Sequence, residues 1–242
     1  MSNYYLLMCL LPPMPTVLGE KISLGFGEIA GIIKRNVQPE HIDIVHASLQ
    51  GIDAFNWEQA DQGRNLFLEG GTLSREEISG QINLPPFIKA FREEKERGLN
   101  RVCLYDRFWE LYYNHVLAVA HRYTCRFLID YVSWEIEMRL ALAAMRIKDK
   151  SGNFEEHVIL KYLRSRDFTN FIAQVKSKKN PLEVERYLDE ERLRQTYKFE
   201  GISGFSIDAL MGYMTRAAIY YRWGKISENI DIDTYLWQGG SK

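Results

Sequence analysis

Residues 101–148 read RVCLYDRFWELYYNHVLAVAHRYTCRFLIDYVSWEIEMRLALAAMRIK, and this stretch decides the fold. It holds neither glycine nor proline, the two residues that most readily interrupt a helix. Phe108, Tyr112, Val116, Val119, Tyr123, Phe127, Tyr131, Trp134, Met138, Ala141, Leu142 and Met145 recur at steps of three and four, so one helical face stays apolar throughout. At about 1.5 Å per residue such a helix would be a rod roughly 70 Å long. Leu117, Ala118, Ile129 and Ala143 place apolar groups on further sides, so other helices must cover it, as in the centre of a bundle. Thr124-Cys125 is a weak helix-forming pair, and a bend is expected there.

Outward from this centre the chain divides into residues 1–98, a region of short helices, and residues 99–242, the long-helix bundle, expected to pack as one compact unit. Pro12 to Pro15, Gly51, Gly70-Gly71 and Pro85-Pro86 punctuate the first region. Ile29, Ile32 and Ile33 mark one helix, and Ile42, Val45 and Leu49 a second after Pro39. Ser74 and Glu77 have the spacing of a capping box, and a helix opened by Pro85-Pro86 should end at Gly98. After a turn at Ser151-Gly152-Asn153, helices are expected over 154–164, over 167–175, from Pro181 through Leu193, and over 207–223 behind a Ser206 cap. The Pro181 helix should carry Glu183, Glu185, Arg186, Asp189 and Arg192 on its wet side, and the tail after Gly224 reads as irregular. Phe127-Leu-Ile129-Asp130 and Phe205-Ser-Ile207-Asp208 share F-x-I-D, which suggests two related helical hairpins. The expected class is therefore all-α, a multi-helix bundle of repeated hairpins.

Composition narrows the function. The 31 Lys and Arg against 32 Asp and Glu leave a formal charge of -1, which argues against nucleic acid as a partner. Cys9, Cys103 and Cys125 are widely spaced with no CxxC pair, so they read as reduced and mostly buried thiols. The apolar run from Tyr4 to Leu11 is too short to span a bilayer and lacks a signal peptide's basic start, so it is expected to tuck into the core. Gly25-Phe26-Gly27 lacks the rest of a phosphate-binding loop. His41 and His46, and His115 and His121, are spaced so that neither pair shares a helix face as zinc ligands would. Glu135 and Glu137 diverge, and Glu135 is placed to pair with Arg139 one turn on. No catalytic residue, metal site or cofactor is expected. What stands out is arginine inside apolar helices. Arg122, Arg126, Arg139, Arg146, Arg216 and Arg222 either lie on solvated faces or line a concave surface that meets the carboxylates of a partner helix. Arg139, Arg146, Arg216 and Arg222 are the candidate partner-binding set.

Tyr4-Tyr5-Leu6-Leu7 with Leu11-Pro12, Gly71-Thr72-Leu73-Ser74-Arg75-Glu76-Glu77, Leu84-Pro85 and the Phe108–Arg146 stretch resemble an uncharacterised bacterial family encoded among V-type ATPase genes. More distantly, Asp53-Ala-Phe-Asn56-Trp57 resembles the D-x-x-N-L segment of the C/d subunit of V/A-type ATPases, with tryptophan in place of leucine. Trp134-Glu135-Ile136-Glu137-Met138-Arg139, ahead of Arg146, is similar to that subunit's acidic–basic helix. The resemblance implies a non-catalytic part of the funnel that joins the central stalk to the membrane ring. Its partners would be stalk subunits and the ring, and its place cytoplasmic, peripheral to the inner membrane. The alternatives are a stand-alone helical adaptor and an enzyme with its site in the bundle core.

Overall fold

A computed structural model describes residues 4–101, 103–148 and 166–238, with residues 148 and 228–238 by their backbone alone. The expected turn at Ser151 to Asn153 and the helix over 154–164 lie outside the described residues. The architecture is all-α: α1 Tyr5–Leu10, α2 Phe26–Asn36, α3 Ile42–Asp61, α4 Arg75–Gly80, α5 Pro86–Glu96, α6 Leu104–Arg122, α7 Arg126–Lys148, α8 Thr169–Ser177, α9 Pro181–Phe199 and α10 Ile207–Gln238. No helix among the described residues is long and apolar enough to cross a membrane.

The stretch read as one rod is two helices, α6 and α7, which fold back on each other. The break falls where a bend was expected, and Thr124 is its pivot. Thr124 sits at φ +55°, a left-handed conformation that a β-branched residue rarely adopts. Around it the Cys125 N–H donates to the Ala120 carbonyl (2.9 Å) and the Thr124 N–H to the His121 carbonyl (3.2 Å). That is the pair of bonds that closes a helix in a Schellman motif, with threonine where glycine is usual. Asp208 then starts α7 by accepting from the Phe127 N–H (2.8 Å) and from Cys125 Sγ (3.4 Å). The F-x-I-D echo therefore hides two different roles. Phe127 is fully buried, Phe205 is exposed, and Asp208 caps the other hairpin's helix.

Local signals work elsewhere as their chemistry dictates. Ser74 and Glu77 close a capping box on α4 (2.8 and 3.1 Å), and Asn180 caps α9 ahead of Pro181 (2.8 Å). Ser206 caps α10, accepting from the Ala209 N–H (3.1 Å). Gly98, at φ +86°, ends the turn after α5. Gly224 does not stop α10, which runs on to Gln238, because one glycine inside a helix costs only about 1 kcal/mol. The N-terminal run is the short helix α1, and it buries Leu7 but leaves Tyr5, Leu6 and Leu10 exposed. Of the cysteines, Cys125 is buried, Cys103 half-buried and Cys9 exposed.

One apolar core draws on residues from Tyr4 to Ala217, and so on both expected regions. Trp57, Phe91 and Phe108 fill its centre, with ring centroids 5.1–5.8 Å apart. Truncating a buried aromatic of this kind costs about 3–5 kcal/mol. A satellite cluster joins Trp134, Met138 and Leu142 of α7 to Val175 of α8 and Leu188 of α9. α7 is thus covered by α6, α9 and α10, as its several apolar sides require.

Candidate functional site: an arginine-rimmed cleft

Two antiparallel hairpins, α6–α7 and α9–α10, meet along α7 and leave an open cleft of about 590 Å³. α6 contributes Trp109 and Tyr113, α7 contributes Arg139 and Arg146, α9 contributes Asp189 and Arg192, and α10 contributes Arg222. Three of the four expected arginines therefore gather here. Arg216 does not join them. It is buried between α9 and α10, where Nη1 donates to Glu200 (2.5 Å) and its guanidinium lies 4.3 Å from the Tyr197 ring centre.

Beneath the rim runs a buried ion-pair network. Arg192 grips Glu135 with two bonds, Nε to Oε2 and Nη2 to Oε1, both 2.9 Å. Arg139 Nε, one turn along α7, donates to Glu135 Oε1 at 2.7 Å, as its spacing predicts. Arg192 Nη1 reaches Asp189 at 2.8 Å, and Asp189 also accepts from Trp223 Nε1 (2.7 Å) and from Arg222. Glu135 and Asp189 are only 7% and 2% exposed. Burial alone would raise the Glu135 carboxyl, but the charges and hydrogen bonds of Arg192 and Arg139 override it and hold it at about 2. The carboxylate is therefore ionised at any physiological pH. Paired, hydrogen-bonded charges of this kind lock helix positions, since removing one member costs about 3–5 kcal/mol.

The sequence placed Asp189 and Arg192 on the wet side of their helix, and the structure turns them inward. The signal was available: Leu188 and Leu193 are their immediate neighbours and are buried, so this face could not be wholly solvated. Charge alone pointed outward because it ignores pairing. Glu137 diverges from Glu135 as expected and accepts from the Arg166 backbone N–H and Nη1, both at 2.7 Å.

The Asp53–Asn56 segment proves to be a staple. Asp53 is fully buried and accepts from the Thr72 N–H (2.9 Å), the Leu73 N–H (3.0 Å) and Thr72 Oγ1 (2.5 Å). Asn56, one turn on, both donates to the Leu68 carbonyl (2.8 Å) and accepts from its N–H (2.7 Å). Together they pin the loop between α3 and α4 onto α3. Burial nevertheless raises the Asp53 carboxyl, outweighing these bonds and nearby Lys34. Two histidines are engaged with neighbours, His41 with the Tyr4 hydroxyl (2.5 Å) and His115 with Gln50 (2.8 Å). Among the described residues no group of three His, Cys, Asp or Glu is placed to hold a metal ion.

A family model described as a protein of unknown function, DUF2764, matches residues 1–235. Comparison with curated proteins finds no match, and comparison with solved structures finds none either.

Proposed function

We propose that this chain, which belongs to the DUF2764 family of proteins of unknown function, is a non-catalytic coupling or accessory subunit of a bacterial V-type ATPase. In this reading it seats a helix of the central stalk in the arginine-rimmed cleft and rests on the cytoplasmic side of the membrane ring. The observation that carries the reading is the cleft itself. Arg139, Arg146 and Arg222 reach it from both hairpins, Arg139 and Arg222 anchored on Glu135 and Asp189 and Arg146 exposed, with Asp106 and Glu185 also on the lining. An open, polar-rimmed concavity with a rigid floor suits a protein helix. Close packing of α7 among α6, α9 and α10 also suits a part that transmits torque, because packed interiors deform little. Of the motif-like segment Trp134 to Arg139, Glu135 and Arg139 belong to the ion-pair network beside this cleft.

Affinity purification of the native complex through a tag on this chain tests the reading. Stalk and ring subunits are expected to co-purify. A single unrelated protein in their place would favour the stand-alone adaptor, and no stalk or ring subunit in repeated purifications would end the ATPase reading.

A further inference from the structure

Behind the arginine rim the cleft continues into a narrower cavity of about 320 Å³, within the roughly 300–1,000 Å³ range of small-molecule sites. The two spaces join at Trp109, Tyr113, Arg139, Arg192, Ala218 and Ile219. Part of the inner wall is aliphatic, built from Leu49 and Ile52 of α3, Val116 of α6, Leu128 and Val132 of α7 and Met214 of α10, and the rings of Phe26, Trp109 and three tyrosines complete it. The charged side chains on it are Glu135, Arg139 and Arg192, two guanidiniums against one carboxylate. Asp189, just outside this wall, is Arg192's second carboxylate, so the two guanidiniums face two carboxylates.

The polar groups here are unequally engaged. Arg192 is committed to Glu135 and Asp189 through all three of its nitrogens. Arg139 commits only Nε, and Nη1 and Nη2 have no hydrogen-bond partner among the described residues. The hydroxyls of Tyr112, Tyr113 and Tyr131 also lack one among the described residues, although all three side chains line the cavity. Burial, the largest effect on each, pushes these phenols up, so they remain hydroxyl donors at neutral pH. The Tyr112 hydroxyl is accommodated by Gly51, where a Cβ would lie 2.5 Å from its oxygen. Trp109 offers only its ring, because Nε1 already donates to Glu58 (2.9 Å). Arg139 is half-exposed at the mouth of this cavity, and its two uncommitted nitrogens and the three hydroxyls are open to an acceptor that enters it.

We propose that this inner cavity binds a single-chain carboxylic acid, its acyl tail along the aliphatic wall and its carboxylate on Arg139 and the tyrosine hydroxyls. The planar guanidinium fork of Arg139, with Nη1 and Nη2 uncommitted among the described residues, matches the two oxygens of a carboxylate. The aliphatic part of the wall gives an alkyl chain apolar surface to lie along. This site adjoins the docking cleft but is independent of the ATPase reading. It can be tested on the isolated chain, and either proposal can fail without the other.

The probe is dodecanoate, kept below its micelle concentration and titrated into the full chain by calorimetry, with Trp fluorescence alongside and dodecanol as the uncharged control. Dodecanoate is expected to bind saturably at one per chain, with dodecanol at least about tenfold weaker, as loss of a charge-assisted hydrogen bond implies. Arg139→Met should weaken dodecanoate by at least about tenfold and leave dodecanol unchanged. Glu135 stays gripped by Arg192 in that variant, and circular dichroism checks its fold. Tyr113→Phe provides a second, gentler loss, and Ala218→Phe, at the neck, should block both ligands. No saturable binding would overturn the proposal. So would equal affinity for acid and alcohol, or an unchanged dodecanoate affinity in both Arg139→Met and Tyr113→Phe.

Discussion

Replacing Glu135 with glutamine removes one negative charge from between two guanidiniums while keeping the side chain's shape. The structure gives the expected cost by two routes. The carboxyl is held at about 2 against an ordinary 4.5, and at about 1.4 kcal/mol per pH unit that lowering is worth about 3 kcal/mol. Removing one member of a buried ion pair costs about 3–5 kcal/mol, because Arg139 would lose its carboxylate and Arg192 would keep only Asp189. Glutamine can still accept one hydrogen bond, so about 3 kcal/mol is the expected loss at pH 7. Urea unfolding followed by circular dichroism measures it. A lowered carboxyl stabilises the fold in full above its unfolded value near 4.5, and this contribution is lost as pH falls through the folded value near 2. The wild-type chain should therefore shed about 3 kcal/mol between pH 5 and pH 2 that Glu135→Gln has already lost, and the gap between them should close. A loss below about 1 kcal/mol at pH 7, or a gap that persists at pH 2, would refute the buried-network account.

Thr124→Gly should stabilise the chain by roughly 0.5–1 kcal/mol, since glycine relieves the left-handed pivot between α6 and α7 at some cost in unfolded-state entropy. A lower urea midpoint would show instead that threonine's own contacts matter more. Gly71→Ala should cost about 2 kcal/mol, because its Cβ would sit 2.1 Å from Asp53 Oδ1 and must displace the loop that Asp53 holds. Hydrogen exchange should then rise at Thr72 and Leu73 before it rises in α6. Asp208→Ala removes the cap of α7 and should cost about 1 kcal/mol by thermal or urea melting. No measurable change would mean that the Schellman bonds at Thr124 suffice to end one helix and start the next.

Much of the fold was legible because helix signals are local. Ser74 with Glu77, Asn180 with Pro181 and Ser206 each act within one turn, and the apolar steps of α6 and α7 lie on the helices that display them. The reversal at Thr124 was visible only as weak propensity, because its cause includes a cap supplied by Asp208, 84 residues further along the chain. The run of α10 past Gly224 is not legible for the opposite reason, a local breaker overridden by its surroundings. At the cleft, Arg139, Arg146 and Arg222 stood out as charges within apolar stretches. Arg192 and Asp189 did not, since each looks solvated until Glu135 is brought opposite them by a 57-residue separation in sequence. Arg216 carried the same outward mark as the others and turned out to serve packing.

The most direct test of the docking cleft compares complexes purified through a tagged wild-type chain with those from Arg146→Glu. Arg146 is exposed and lines the cleft without belonging to the buried network, so reversing its charge should leave folding intact. Wild-type chain is expected to bring down stalk and ring subunits, and the variant, matched by circular dichroism, to lose most of the stalk while remaining folded. Stalk recovery equal in both, or absent from the wild-type chain, would contradict the account.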